Sequence, residues 1–101
     1  MQVSLTSKNI PLTSSLKAFI TSKIEKLSKY SSNHLSQLSV ILDVDSRRKG
    51  SKTDAVVEIV GNLKGKHIAV RDTGSNFYAT FFNAMEKMKT RLIKERRALV
   101  H

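Results

Sequence analysis

The chain has no cysteine, one proline and four glycines among its 101 residues. Without cysteine it cannot form disulfides, use a thiolate nucleophile or bind zinc through a cysteine finger. It also lacks a Ser-, Gly- or Pro-rich linker, which predicts a single domain, and a chain of this length can bury one core without metals.

Long hydrophobic runs are absent as well. None approaches the roughly 20 residues that a membrane-spanning helix needs. The first residues, MQVSLTSKN, lack the basic patch and apolar stretch of a signal peptide. We therefore expect a soluble, cytoplasmic protein.

Positive charge is what the chain has in excess. Eighteen Lys and Arg residues stand against eight Asp and Glu residues, which leaves a net charge of +10. Hydrophobic residues make up 40 % of the chain, enough for a globular fold. Such a charge favours a polyanionic partner: nucleic acid first, an anionic membrane surface second.

The hydrophobic pattern changes its period along the chain. Apolar residues alternate in MQVSLTS, then recur every three or four residues from about Thr13 to Tyr30, as on an amphipathic helix. Alternation returns from Leu38, and three strands follow, separated by SRRKGSK and by GNLKGK, where Gly61, Asn62 and Gly65 indicate a turn. The segment NFYATFFNAMEKMKTRLIKERRAL predicts a second long helix.

This order of elements, β-α-β-β-β-α, predicts the fold. The first two strands flank a helix, so they can be parallel through a right-handed crossover, and the later strands follow as hairpins. Each helix has one apolar stripe. We expect an α+β, two-layer sandwich: a four-stranded mixed sheet with both helices on one face and water on the other. We assign residues 1–98 to this domain and 99–101 to a short C-terminal tail.

The open sheet face is a poor platform for stacking RNA bases. All six aromatic residues fall in the helical segments, whereas single-stranded RNA is read on sheets through exposed aromatics. Five acids are instead assigned to this face: Asp43, Asp45, Asp54, Glu58 and Asp72.

The cations gather on the helices and hairpin tips. On the second helix, Lys87, Arg91 and Lys94 follow a four-then-three step and form one ridge. A face that is merely solvated mixes both signs of charge, so one-signed ridges favour backbone contacts to folded or double-stranded RNA, which is recognised mainly by shape. The first helix adds a neighbouring arc: Lys23, Lys26 and Lys29.

The tip SRRKGSK is first of all a hairpin turn, with Gly50 free to take a positive φ. Because the tip is strongly basic, Arg47, Arg48 and Lys49 are also candidates for contacts with RNA phosphates.

Catalytic signals are weak. No HExxH, Walker loop, GxSxG or clustered ligand spacing occurs. Asp43 and Asp45 share a strand face, which leaves a metal-dependent nuclease as an alternative to two solvated acids. We expect a protein that is not an enzyme and has no metal, no cofactor and no small-molecule substrate.

Two segments carry a family resemblance. LTSKNIPLTSSLKAFITSKIEKLSKY resembles the N-terminal region of bacterial hibernation-promoting factors and the ribosome-associated inhibitor. NFYATFFNAMEKMKTRL is similar to that family's last-helix pattern, D-(M/L)-Y-x-A-I-D-x-x-x-x-K-L-x-R-Q-L. The resemblance covers nearly the whole chain. It implies a ribosome hibernation factor that binds the small ribosomal subunit in the mRNA and tRNA channel and inhibits translation in starved or stationary cells.

The resemblance also implies partners and a site. The partner is small-subunit rRNA, in competition with mRNA and tRNA, in a ribosome-associated protein that is a monomer off the ribosome and does not bind membranes. The departures from the family pattern include Asn76 and Phe82, which replace acids, and Thr90, which replaces an arginine. Because the chain stops at His101, it looks like a short factor without a second, dimerising domain. The implied rRNA-binding residues are Lys23, Lys26, Lys29, Lys87, Lys89, Arg91 and Lys94.

Two alternatives remain. A general double-stranded or structured RNA-binding module has a related α-β-β-β-α layout, and it would bind bare duplex RNA rather than prefer assembled small subunits. The basic final helix could instead bind an anionic membrane or an acidic protein, although its apolar stripe is needed for the core.

Overall fold

The computed structural model describes residues 2–31, 35–45 and 54–100, with side chains except at 28–31 and 96–100. Within these residues the predicted order of elements is confirmed. The elements are β1 (Gln2–Ser7), α1 (Ser14–Ser31), β2 (Leu35–Asp45), β3 (Asp54–Leu63), β4 (Lys66–Gly74) and α2 (Phe77–Val100).

The strands form one sheet in the order β1-β2-β3-β4. Strand β1 pairs parallel with β2, while β2 with β3 and β3 with β4 are antiparallel. The parallel pair is joined through α1, as a crossover requires, and the antiparallel pairs are consecutive in the chain. The predicted mixed sheet in an α+β sandwich is therefore confirmed.

The core lies between one sheet face and the two helices. Alternate strand residues turn toward the helices because side chains in a strand point to opposite faces. Leu38, Val40 and Leu42 of β2 are completely buried. The stripe of α1 is buried at Leu16, Ile20, Ile24 and Leu27. The stripe of α2 is buried at Phe81, Ala84, Met85, Met88 and Leu92.

Both helices begin at a side-chain cap. The Thr13 hydroxyl oxygen accepts a hydrogen bond from the Leu16 N–H at 3.2 Å. Asn76 caps α2, since its Oδ1 accepts from the Tyr78 N–H at 2.7 Å and from the Ala79 N–H at 3.2 Å. Helix α2 runs to Val100 and so includes the start of the segment assigned to the tail.

The turn between β3 and β4 is shorter than GNLKGK indicates. Gly61 and Asn62 belong to β3, and only Lys64 and Gly65 form the turn. Both have positive φ, 51° and 85°, as in a type I′ turn, whose twist matches that of the flanking strands. The Gly65 N–H also donates to Asn62 Oδ1 at 2.8 Å, so the asparagine acts from the end of the strand.

One acid lies on the other side of the sheet from its predicted position. Asp72 is opposite Val57 in the register, on the face that carries the helices. The alternation that buries Ile68 and Val70 turns Asp72 inward too, and a lysine of α2 meets it there. The open face keeps the other acids: Asp43, Asp45, Asp54 and Glu58.

Candidate nucleic-acid interface

The outer surface of the two helices carries the predicted cations. Lys26, Lys87, Arg91 and Lys94 are exposed, while Lys23 and Lys89 are partly buried. Arg47, Arg48 and Lys49, and the side chain of Lys29, lie outside the described part of the structure.

One group of cations lines a groove between the two helices, the helix groove. Lys23 and Lys26 face it from α1, and Lys89 faces it from α2. The Nζ of Lys23 is also 5.6 Å from the centroid of the Phe19 ring, within the range of a cation–π contact. The rest of the lining is Leu27, Phe82, Met85 and Glu86.

A second group lines a groove between α2 and the edge strand β4, the edge groove. Lys87 and Arg91 line it from α2, and Val70 and Arg71 line it from β4. The side chain of Arg71 belongs to the open sheet face, since Arg71 is opposite Glu58 in the register. The Lys87 Nζ donates to Asp72 Oδ1 at 3.2 Å and to the Arg71 carbonyl oxygen at 3.3 Å. These bonds hold Lys87 against the sheet, although 53 % of its side chain is exposed.

The end of α2 holds a further ion pair. Lys66 Nζ lies 2.7 Å from Glu95 Oε2. This hydrogen bond lowers the pKa of Glu95 from its ordinary 4.5, with further help from the positive charges of Arg91 and Lys94. Lys66 is therefore engaged within the protein, and Lys94 is an exposed cation of this region.

The predicted rRNA-binding side chains that the structure describes thus do not form a single patch. Lys23, Lys26 and Lys89 meet at the helix groove, and Lys87 and Arg91 meet at the edge groove. Glu86 lines both grooves and lies between the two groups.

Phe82 is the exposed aromatic residue of the helix groove, and it was not among the predicted site residues. Phe82 lies next to the apolar stripe of α2, yet 48 % of it is exposed. The sequence contains one indication that Phe82 is unusual, because this position holds an acid in the family pattern.

Residues 2–31, 35–45 and 54–100 hold neither a metal-binding cluster nor a helix that could span a membrane. No group of three or more His, Asp or Glu side chains there could hold a metal ion. No helix in these ranges is both long and apolar enough to cross a membrane. The expectation that the protein uses no metal or cofactor stays a prediction.

A mixed four-stranded sheet backing two cation-rich helices defines a small α+β protein with a candidate nucleic-acid-binding surface. The chain belongs to the family described as Sigma 54 modulation protein / S30EA ribosomal protein, whose sequence model matches residues 3–99. The family resemblance drawn from the sequence is confirmed.

Relatives align over almost their whole length. The chain is 28 % identical over 96 residues to the ribosome hibernation promoting factor of Escherichia coli K12, covering 95 % of this chain and 94 % of that protein. It is 25 % identical, with the same coverage, to the protein of that name from Salmonella typhimurium.

Two solved structures share the fold. The N-terminal domain of Thermus thermophilus Protein Y superposes with a TM-score of 0.77 at 21 % identity, covering 93 % of this chain and 98 % of that one. A ribosomal subunit interface protein from Coxiella burnetii gives 0.79 at 18 % identity, with 96 % and 99 % covered.

Proposed function

We propose that this protein is a ribosome hibernation factor that binds rRNA of the small ribosomal subunit and keeps the ribosome inactive. The observation that carries the proposal is the pair of cation-lined grooves on either side of α2. Family membership and relatives named for ribosome hibernation support it.

The charge distribution favours RNA phosphates as the ligand. Lys26, Arg91 and Lys94 are exposed, and their long side chains can extend from a rigid helical surface to phosphates. The open sheet face offers no comparable surface, because its register contains acids and no aromatic residue. The helices therefore contact the RNA, and the sheet faces away from it.

The mRNA and tRNA channel of the small subunit is the proposed location. A compact protein seated there would exclude mRNA and tRNA and so inhibit translation in starved or stationary cells. In this function the protein is a cytoplasmic, ribosome-associated binding protein and not an enzyme. It carries no cofactor and is a monomer off the ribosome.

Co-sedimentation with purified small subunits across a salt series tests the proposal. Each phosphate neutralised adds to the salt dependence of binding. The double variant Lys23→Gln/Lys26→Gln should therefore weaken pelleting and reduce the slope of log affinity against log salt by about two.

The matched control is Lys8→Gln/Lys64→Gln, which removes the same charge from exposed lysines outside both grooves. It should leave the salt slope nearly unchanged. Equal losses in the two double variants would mean that only the overall charge matters, and they would contradict an interface on the helices.

Prebound mRNA and initiator tRNA should displace the protein from the small subunit. Displacement by duplex RNA alone would instead identify a general RNA-binding module, provided that the protein binds bare duplex RNA as tightly as it binds the small subunit.

A further inference from the structure

Phe82 is exposed where its neighbour Phe81 is completely buried. The exposed fractions are 48 % and 0 %. Successive residues of an α-helix are about 100° apart around its axis, so Phe81 faces the core while Phe82 faces the helix groove. Phe82 therefore contributes less to the core than Phe81, and about half of its surface is open to contacts outside the protein.

The surroundings of Phe82 combine rings and cations. Tyr78, one turn earlier on α2, is 41 % exposed. Its ring packs edge-to-face on Phe19 of α1, with centroids 5.0 Å apart. Lys23 and Lys26 line the helix groove next to Phe82. An exposed ring thus lies beside two lysines of the neighbouring helix.

A nucleotide of single-stranded RNA matches this arrangement. Its base has a flat π-face that stacks on an aromatic ring, and its phosphates are anionic. Glu86 lines the same groove and would repel a phosphate next to it, but its carboxylate can accept a hydrogen bond from a base amino group. The base therefore fits the α2 side of the groove, and the phosphates fit the α1 side.

We propose that Phe82 is a stacking site for an unpaired nucleobase, with Lys23 and Lys26 contacting the flanking phosphates. The inference rests on the proposed function for its source of RNA. It goes beyond that function by adding direct contact with a base to contacts with the phosphate backbone.

Sedimentation with small subunits separates stacking from simple apolar contact. Loss of one stacked base corresponds to a roughly 5- to 150-fold loss of affinity. Phe82→Ala and Phe82→Leu should both show this loss, because leucine keeps apolar area but has no π-face. Phe82→Tyr should bind like the original protein. Val3→Ala, at a 49 % exposed position on β1, is the control and should have no effect.

A second measurement needs no ribosome. The chain contains no tryptophan, so Phe82→Trp places a single tryptophan at the site, whose fluorescence can be excited separately from that of the two tyrosines. A short unstructured single-stranded RNA at low salt should quench this fluorescence by stacking. Val3→Trp, the control reporter, should not be quenched.

The outcomes distinguish the two proposals. If the unmodified protein fails to pellet with small subunits, the proposed function fails, and the tryptophan reporter still decides whether position 82 stacks on RNA bases. If pelleting is normal but Phe82→Ala binds equally well, only the stacking site is wrong. Normal binding by Phe82→Leu would overturn stacking in favour of apolar contact with a ribosomal protein. Quenching no greater than that of Val3→Trp would also overturn it.

Discussion

The Nζ of Lys87 lies 3.2 Å from Oδ1 of Asp72, which links the middle of α2 to the edge strand β4. Lys87 is one of the predicted rRNA-binding residues, and its charge is partly balanced within the protein. Binding to a phosphate would therefore have to compete with this ion pair.

Removing the internal partner of Lys87 should strengthen RNA binding. We expect Asp72→Asn to raise the affinity for small subunits a few-fold at low salt. The variant removes the carboxylate that pairs with Lys87, and it raises the net charge of the protein by one. The free energy of unfolding should change by less than about 1 kcal/mol, since exposed ion pairs contribute little. Sedimentation and urea denaturation measure the two effects.

Glu58→Gln is the control for Asp72→Asn. It raises the net charge by the same amount, but on the open sheet face. A similar gain in affinity from both variants would show that the net charge of the protein determines the affinity for RNA. The pairing of Lys87 with Asp72 would then be irrelevant to binding.

Removing the hydroxyl of Thr80 should stabilise the protein. The residue is 2 % exposed, and its Oγ1 has no hydrogen-bond partner within the described residues. A buried, unsatisfied polar group costs about 1–3 kcal/mol. Because valine has nearly the same shape and a similar helix propensity, Thr80→Val should raise the free energy of unfolding by roughly 1 kcal/mol, as measured with urea.

Thr90→Val provides the comparison on the same helix. The Thr90 hydroxyl is exposed and donates to the Glu86 carbonyl oxygen at 3.0 Å. Its replacement should change stability by less than about 0.5 kcal/mol. Destabilisation by Thr80→Val would show that its hydroxyl has a partner after all.

The pKa of Asp43 should depend on Asn9. The side-chain amide of Asn9 donates to Asp43 Oδ1 at 3.0 Å, and this bond, followed by the Val44 N–H, lowers the pKa of Asp43 from its ordinary 3.8. A lowered folded-state pKa contributes stability above the unfolded-state value, and this contribution is lost as the pH falls through the folded-state pKa.

Asn9→Gly is the informative change, because Asn9 has a φ of 62° that glycine adopts without strain. The variant should raise the pKa of Asp43 toward 3.8, measured by NMR titration. It should also lose less stability than the original protein as the pH falls below about 4. An unchanged Asp43 titration would show that the Asn9 amide does not act on this carboxylate.

A substitution in the turn between β3 and β4 should stabilise the protein. Lys64 has a φ of 51°, a conformation that asparagine tolerates better than lysine. Lys64→Asn should therefore raise the free energy of unfolding by up to about 1 kcal/mol. Lys64→Gln removes the same charge without favouring positive φ, so it should give no such gain. Equal stability of the two variants would contradict the backbone argument.

Local patterns in the sequence were enough to predict the element order and the layer arrangement. The change from a period of two to one of three and four distinguishes strand from helix, and it follows from backbone geometry alone. The family resemblance could be found in the same way, because it depends on residues close together in the chain.

The arrangement of the candidate site depended on contacts between distant residues. Asp72 meets Lys87 because β4 lies at the sheet edge under α2, and Phe82 meets Lys23 and Lys26 because α1 packs beside α2. Neither contact leaves a periodic signal, since each joins segments brought together only by burial of the shared core. The sequence by itself determined which elements form and how much charge they carry. The tertiary structure decided which charges are paired within the protein and which face a groove.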